Sequence, residues 1–359
     1  MQEQLSNYNK TQKALEFLKS LIKIPSFSKE EAETATFIAS FLTNENIEIN
    51  QHLNNVWAVN KYFDKTKPSI LLNSHHDTVK PSQSYTRDPF NPEIIDGKLY
   101  GLGSNDAGGP LVSLLMVFIH FYNSNNLPYN LIFAATAEEE NSGDNGIQSI
   151  LPFFENIEFA VVGEPTSMEM SVAEKGILVL DCTAHGKSGH AARNVGINAI
   201  YQALPDIEWI KTFKHEKTSE WLGEVKQTVT VINAGQLHNV IPDTCTFTVD
   251  VRITEQYTHE EILNTFRKNL KSTVTPRSFK LRSSKIDVNH PFVQCAKNLN
   301  IKLFGSPTTS DRAVIPYPSV KIGPGDSNRS HTANEFIFVK ELEDGIDVLL
   351  QLFTTFLSK

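Results

Sequence analysis

The side chains best suited to chemistry stand at the ends of apolar runs. Ile70-Leu71-Leu72 runs into Asn73-Ser74-His75-His76-Asp77. On an extended backbone alternate side chains share a face, so His75 and Asp77 point one way and His76 the other. A histidine with a carboxylate two residues on suits a metal ligand beside the group that orients it. The plainer alternative is a surface loop with two solvated histidines. Asn130 to Ala137 reads as a buried strand and leads into Glu138-Glu139-Glu140. Three adjacent carboxylates repel one another unless a cation is close. Phe159 to Val162 ends in Gly163-Glu164-Pro165, and Ser319 to Ile322 leads into a loop that reaches His331. In open α/β sheets functional loops gather at the C-terminal ends of strands. Four unrelated acidic turns have no reason to share that placement, whereas one metal-binding pocket does.

A further carboxylate, Asp106, ends the Gly-punctuated stretch Tyr100 to Asp106, just ahead of an apolar helix from about Gly109 through Phe121. Three readings compete for it: a helix N-cap, part of a phosphate loop that lacks the Lys-Ser/Thr such a loop needs, or a carboxylate aimed at a metal. The segment alone does not choose. Taken together, His75, Asp106, Glu140, Glu164 and His331 form a ligand set of the nitrogen and oxygen donors that Zn²⁺ accepts. Five donors exceed one tetrahedral zinc with an open position and suit two metals if one carboxylate bridges. Glu139 adjoins a ligand yet points elsewhere, which suits a general base for water acidified by a metal. Amide hydrolysis is the natural reaction. Neither a GxSxG elbow nor an HExxH helix motif is present.

The elements that must position these groups follow from periodicity. Helices are expected over Thr11–Leu21 and roughly Lys29–Glu45, and strands over Asn55–Lys61 and Ser69–Ser74, with a long loop from Pro81 to Asp96. Between about Lys175 and Ser284 the pattern changes. Alternating strands at Gly176–Ala184, Gln227–Ala234 and Thr244–Ile253, a helix within Gly189–Phe213, a helix at Thr258–Leu270 and a strand at Ser278–Arg282 describe a small α+β sandwich of the split βαβ, ferredoxin-like type. The expected fold class is α/β: a mixed, mostly parallel sheet flanked by helices, formed by residues 1–174 and 285–359, with residues 175–284 inserted.

Bulk composition narrows the class. The chain has 359 residues, of which 40% are hydrophobic and 21% charged, so it reads as an ordinary globular protein of two domains. A net charge of −8 without a basic block argues against nucleic acid as a partner. Cys182, Cys245 and Cys295 form no CxxC pair, which points to neither a disulfide framework nor a thiolate metal site. No signal-peptide core or bilayer-spanning run is found, so no membrane association and a cytoplasmic location are expected.

The motifs SHHDTV (74–79), GLGSNDAGG (101–109), ATAEEENSG (135–143), VVGEPTS (161–167), GKSGHAA (186–192), NVIPD (239–243), VDVR (249–252), TSD (309–311) and IGPGDSNRSHTANE (322–335), in that order, resemble one family. It is the co-catalytic di-zinc family of acetylornithine deacetylase, succinyl-diaminopimelate desuccinylase, aminoacylases and glutamate carboxypeptidases. The resemblance implies two Zn²⁺ ions per subunit, with Co²⁺ as an alternative. Asp106 would bridge them, His75 and Glu164 would bind one ion, and Glu140 and His331 the other. Glu139 would be the general base and Asp77 a support for His75. A cis peptide would follow Asp106, rare for a non-proline residue. The inserted segment would be a lid that pairs into a homodimer. From it His190 would reach into the partner subunit's site as an oxyanion donor, while Asn239 and Arg252 would hold polar ends of the substrate. Ser74 stands where the family usually has Gly, and Ser306-Pro307-Thr308 replaces a Gly pair. GEPTS, Lys175-Gly176 and the last motif lean towards the acetylornithine deacetylase branch. The implied reaction is removal of an acetyl or succinyl group from N-acyl-ornithine or N-acyl-citrulline in arginine biosynthesis. Succinyl-diaminopimelate desuccinylase or a dipeptidase is the alternative, and a non-catalytic binding module on the same fold a remote one. A second substrate carboxylate would need a cation, for which Lys175, Arg193, Arg312 and Arg329 are candidates.

Overall fold

The computed structural model describes residues 2–193 and 195–358. In chain order the main elements are α1 (Gln2–Ile22), α2 (Ala32–Asn44), β1 (Asn50–His52), β2 (Asn55–Val59), β3 (Ser69–His75), α3 (Gly109–Phe121), β4 (Asn130–Thr136), β5 (Ile157–Val162) and β6 (Met170–Glu174). There follow β7 (Gly176–His185), α4 (Ala199–Thr212), β8 (Lys226–Ala234), β9 (Thr244–Ile253), α5 (His259–Asn269), β10 (Thr273–Pro276), α6 (Pro291–Asn298), β11 (Ser319–Lys321) and α7 (Val339–Leu357). The chain divides into two compact units, Met1–Val172 with Ile286–Phe304 and Ser310–Lys359, and Ala173–Lys285 with Gly305–Thr309.

The first unit is built on a mixed sheet with strand order β1-β2-β4-β3-β5-β11-β6. Its centre is parallel: β3 pairs with β4 and β5, and β11 with β5. All residues of β3 and β4 are buried, as their continuous apolar runs require of strands covered on both faces. Because β3 and β4 are parallel and in register, with His75 opposite Thr136, their polar extensions emerge at one end of the sheet. Behind that end lies α3. Its sequence is apolar all round, and every residue from Gly109 to Phe118 is buried, which marks a central helix rather than a surface one. Phe118 stacks on Phe133 of β4 at 5.8 Å, and Phe159 of β5 meets Phe292 of α6 at 5.0 Å.

The second unit has a four-stranded antiparallel sheet, β8-β9-β7-β10, with the strand-helix-strand-strand-helix-strand order of a split βαβ fold. The inward residues of β7 and β9, among them Leu178, Leu180, Phe247 and Val249, pack with Ile262 and Phe266 of α5 and Ala203 of α4. Asn198 caps α4 through the Ile200 amide, and Thr258 and Glu261 form a full capping box on α5. The final strand is not at 278–282 but at Thr273–Pro276, where Val274 supplies its buried side chain, whereas Phe279 is exposed. Among the described residues no helix is long and apolar enough to cross a membrane.

Candidate metal centre

The strand ends of the first unit assemble the predicted set. His75 Nε2 lies 3.3 Å from Asp106 Oδ1, 3.9 Å from Glu164 Oε1 and 3.9 Å from Glu139 Oε2. His331 Nε2 lies 2.8 Å from Glu140 Oε2 and 3.9 Å from Asp106 Oδ2. Asp106 thus turns one oxygen to each histidine. Donors around a tetrahedral zinc, each about 2.1 Å from it, lie roughly 3.4 Å apart, so these separations fit a shared cation. Two three-residue groups, His75-Asp106-Glu140 and His75-Glu139-Glu164, bring their donor atoms close enough to hold an ion.

Local structure explains each placement. His75 Nδ1 donates to the Asp77 carbonyl at 3.0 Å and lies 3.3 Å from its carboxylate. That bond leaves Nε2 with a lone pair facing carboxylate oxygens, an arrangement only a proton or a cation satisfies. Burial alone would lower the His75 pKa, but Glu139, Asp106 and Asp77 outweigh it and hold it well above the usual value. His76 points the other way, as alternation requires. It is buried between Thr34 Oγ1 and the Asn54 carbonyl, both at 2.9 Å, a satisfied core histidine.

Asp77 also accepts the backbone amides of Glu139 and Glu140 and the Ser28 hydroxyl, which fixes the turn after β4. Glu138 opens that turn with φ 56°, breaking the strand alternation. Its carboxylate accepts from Asn145 Nδ2, so the three consecutive glutamates diverge: Glu138 to Asn145, Glu139 to His75 and Glu140 to His331. Burial pushes the Glu139 carboxyl well above the usual range; His75 opposes this, and Glu164, Asp311 and Glu140 add to it. Asp106 caps no helix, since α3 begins at Gly109 with Gly108 in the cap position and no side-chain cap. The Asp106–Ala107 peptide is cis, as the resemblance implies.

Several residues outside the predicted set support it. Asp311 is buried, accepts from Asn73 Nδ2 at 2.7 Å and Thr136 Oγ1 at 3.1 Å, and is pushed up to about 6, chiefly by burial. Glu335 is 2% exposed, and its carboxylate takes the amides of Gly103, Asn105 and Asp106. Burial and then Asp106 push it up to about 8 against those three amides. Both belong to motifs quoted above, but nothing in a sequence shows that an acidic side chain is turned inward onto amides of a distant loop. Ser74, the departure from Gly, is buried and donates to the Gly163 carbonyl at 2.9 Å, so it ties β3 to β5.

The remaining predicted residues, His190, Asn239 and Arg252, lie in the second unit. His190 and Asn239 are neighbours. The short strand Gly189–His190 pairs with Val240–Ile241, and the Ala191 amide donates to the Asn239 carbonyl at 3.0 Å. His190 Nδ1 accepts the Ala192 amide, which leaves Nε2 as the protonated nitrogen. Arg252 forks onto Asp250 at 2.8 and 3.1 Å, opposite Lys226 in the register of β8 and β9. Of the four candidate cations for a second substrate carboxylate, three are hydrogen-bonded, Lys175 through its Nζ to the Glu224 carbonyl at 2.8 Å. Arg312 is buried on Ser171 and Ser319, and Arg329 grips Glu341 with two 2.7 Å bonds. Arg193 is exposed in the turn that follows His190, its amide donating to the His190 carbonyl.

The profile of peptidase family M20/M25/M40 matches residues 71–355 of this sequence. The chain belongs to that family. It is an M20 amide hydrolase with the metal-binding peptidase fold. It is 24% identical to succinyl-diaminopimelate desuccinylase of Wolbachia pipientis wMel over 91% of this chain and 89% of the relative. It is 27% identical to [LysW]-lysine/[LysW]-ornithine hydrolase of Sulfurisphaera tokodaii over 94% of each. Its fold matches that of YXEP from Bacillus subtilis, described as a dinuclear metal-binding peptidase of the M20 family. That match has a TM-score of 0.76 and 17% identity, and covers 98% of this M20 chain and 99% of the other.

Proposed function

We propose that this M20 hydrolase removes an acyl group from the amine of an N-acyl-amino acid, with N-succinyl-diaminopimelate the first substrate to test. The observation that carries the reading is the division of Asp106 between two histidines, His75 beside Glu139 and Glu164, and His331 beside Glu140. His75 and Glu164 would hold one cation, Glu140 and His331 the other, and Asp106 both. The oxygen and imidazole donors suit zinc, with cobalt as a substitute. Such a pair of cations, when bound, polarises the amide carbonyl and acidifies the attacking water.

This chain's residues supply the rest. Glu139, adjacent to the ligand Glu140 and facing His75, takes a proton from the water at Oε2 and passes it to the leaving amine. Asp77 keeps His75 in the Nδ1–H tautomer. His190 Nε2–H donates to the developing oxyanion. Asn239 and Arg252 hold the polar ends of the substrate, an incoming carboxylate displacing Asp250 from the Arg252 fork. Arg193, which is exposed, and Lys175, whose Nζ spends one donor on the Glu224 carbonyl, are the cations proposed for a succinyl carboxylate, since Arg312 is buried and Arg329 is paired with Glu341. The desuccinylase names among the relatives favour the succinyl substrate over the acetyl one. N-acyl-ornithine or N-acyl-citrulline, in arginine biosynthesis, is the second reading, favoured by the ornithine in the name of the Sulfurisphaera relative.

The second unit would act as lid and dimerisation domain. Among the described residues β8 is an edge strand, and it exposes Val231 and Ile232, while α4 exposes Tyr201 and Leu204. An apolar edge of this kind is a template for pairing with a second copy.

The test is a panel of acetyl and succinyl derivatives of diaminopimelate, ornithine and citrulline, assayed with zinc and with cobalt. Succinyl-diaminopimelate is expected to turn over fastest. Glu139→Ala should keep its metal content and lose turnover by orders of magnitude. Wild-type turnover in that variant would remove Glu139 as the base. No turnover of any acylated amino acid with either metal would sink the reading.

A further inference from the structure

We infer that Glu335 is a positioning residue that sets the Asp106–His331 half of the centre before any cation binds. The inference rests on the two-cation reading above. Asp106 lies in a turn, Ser104–Gly108, whose backbone departs from helical geometry at Asp106 and Ala107. A free turn of that kind has many conformations, and the direction of a carboxylate at its centre varies with each of them. Glu335 removes that freedom. Its Oε1 accepts the amides of Asn105 at 2.8 Å and Asp106 at 2.9 Å, and its Oε2 accepts the amide of Gly103 at 3.1 Å. One side chain therefore fixes the peptide planes on both sides of Asn105.

Glu335 also belongs to the segment that carries His331, four residues earlier. The same two segments are joined a second time. Asn105 Oδ1 accepts the Asp326 amide at 2.9 Å, and its Nδ2 donates to the Asp326 carbonyl at 3.1 Å. The Gly101 amide adds a bond to the Glu335 carbonyl at 3.1 Å. The turn bearing Asp106 is thus stitched to residues 326–335 on both flanks of His331. His331 needs this support, because it has φ 58° and its side chain is about half exposed, 55%. His75, by contrast, sits at the end of a buried strand and owes its position to the sheet. Loss of Glu335 is therefore expected to loosen both ions that Asp106 would share, and more so the one it shares with Glu140 and His331, because His331 hangs on the same stitched segment.

The experiment titrates cobalt(II) into the metal-free full-length protein, followed by visible absorption and by calorimetry. The wild type should bind two ions in separable steps. Glu335→Ala should weaken one step by about ten- to a hundred-fold, the range seen when a residue supporting a ligand is lost, and the other by a clearly smaller factor. Glu335→Gln should fall between. Its oxygen can still accept two amides, but its NH₂ meets the third donor head-on. If the alanine variant does not fold, the glutamine variant and Asn105→Ala, which cuts the second stitch, carry the same expectation. A residue that only stabilised the fold would lower the melting temperature without separating the two steps. Equal weakening of both steps, or neither moving, would overturn the inference. A wild type that binds a single cobalt would overturn the two-cation reading instead, and this inference with it.

Discussion

A carboxylate or histidine acquires its role from what its backbone forces it to face. The consecutive glutamates 138–140 show this best. In the sequence they are three equal acids, and the left-handed turn at Glu138 gives them three different partners. Three of the metal-ligand candidates, His75, Glu140 and Glu164, were legible because they stand just past strongly apolar runs. Glu335 and Asp311 were not, because their partners are backbone amides and an asparagine far away in the chain. Ser74 departs from the Gly usual in the family, and its hydroxyl is spent on the neighbouring strand. Ser74→Ala should therefore lower stability by about 1–2 kcal/mol, the cost of a buried carbonyl left without its donor. Reversible urea unfolding measures this, and an unchanged midpoint would show that the hydroxyl contributes nothing.

At the scale of elements, periodicity located the helices and strands wherever burial is continuous. It misplaced the last strand of the second unit. Thr273–Pro276 offers only Val274 to the core and pairs with β7 over four residues, while 278–282 gives β7 one carbonyl, that of Leu281, which accepts the Ile177 amide. The link between α4 and β8 supplies a test of pH dependence. His215 is buried there, with its Nε2 3.1 Å from Gln227 Oε1 and its ring against Phe213 and Tyr257. Burial lowers its pKa, with Gln227 opposing. A histidine whose folded pKa is depressed takes up a proton more readily when unfolded, so its contribution is complete above the ordinary imidazole value and is lost as pH falls below it. His215→Gln should narrow the gap in unfolding midpoint between about pH 8 and about pH 5.5. A gap as wide as the wild type's would assign the acid sensitivity to other groups.

For the whole molecule, the fold class was legible because two periodicities alternate along the chain, and because the metal-type residues bracket a segment with a different rhythm. The exposed apolar edge of β8 was not, since it leaves no signature distinct from a buried strand. If β8 and α4 form the dimer contact, Val231→Glu combined with Leu204→Glu should yield a monomer in sedimentation. Turnover should drop in step, because His190 would then lack a partner site. A fully active monomer would rule out the cross-subunit role.

The junction of the inserted segment has a consequence of its own. The chain leaves along Ala173 and Glu174 and comes back along Ser284 and Lys285, and these residues are paired antiparallel, Glu174 opposite Ser284 and Ala173 opposite Lys285. To the strands beside it, everything between those points amounts to the tip of a hairpin. An excursion whose two stems already touch asks almost nothing extra of the scaffold when it lengthens, because the entropy of closing a loop grows only with the logarithm of its size. A whole domain can be grown, exchanged or reshaped at that position while the strand ends that gather the ligands stay where they are.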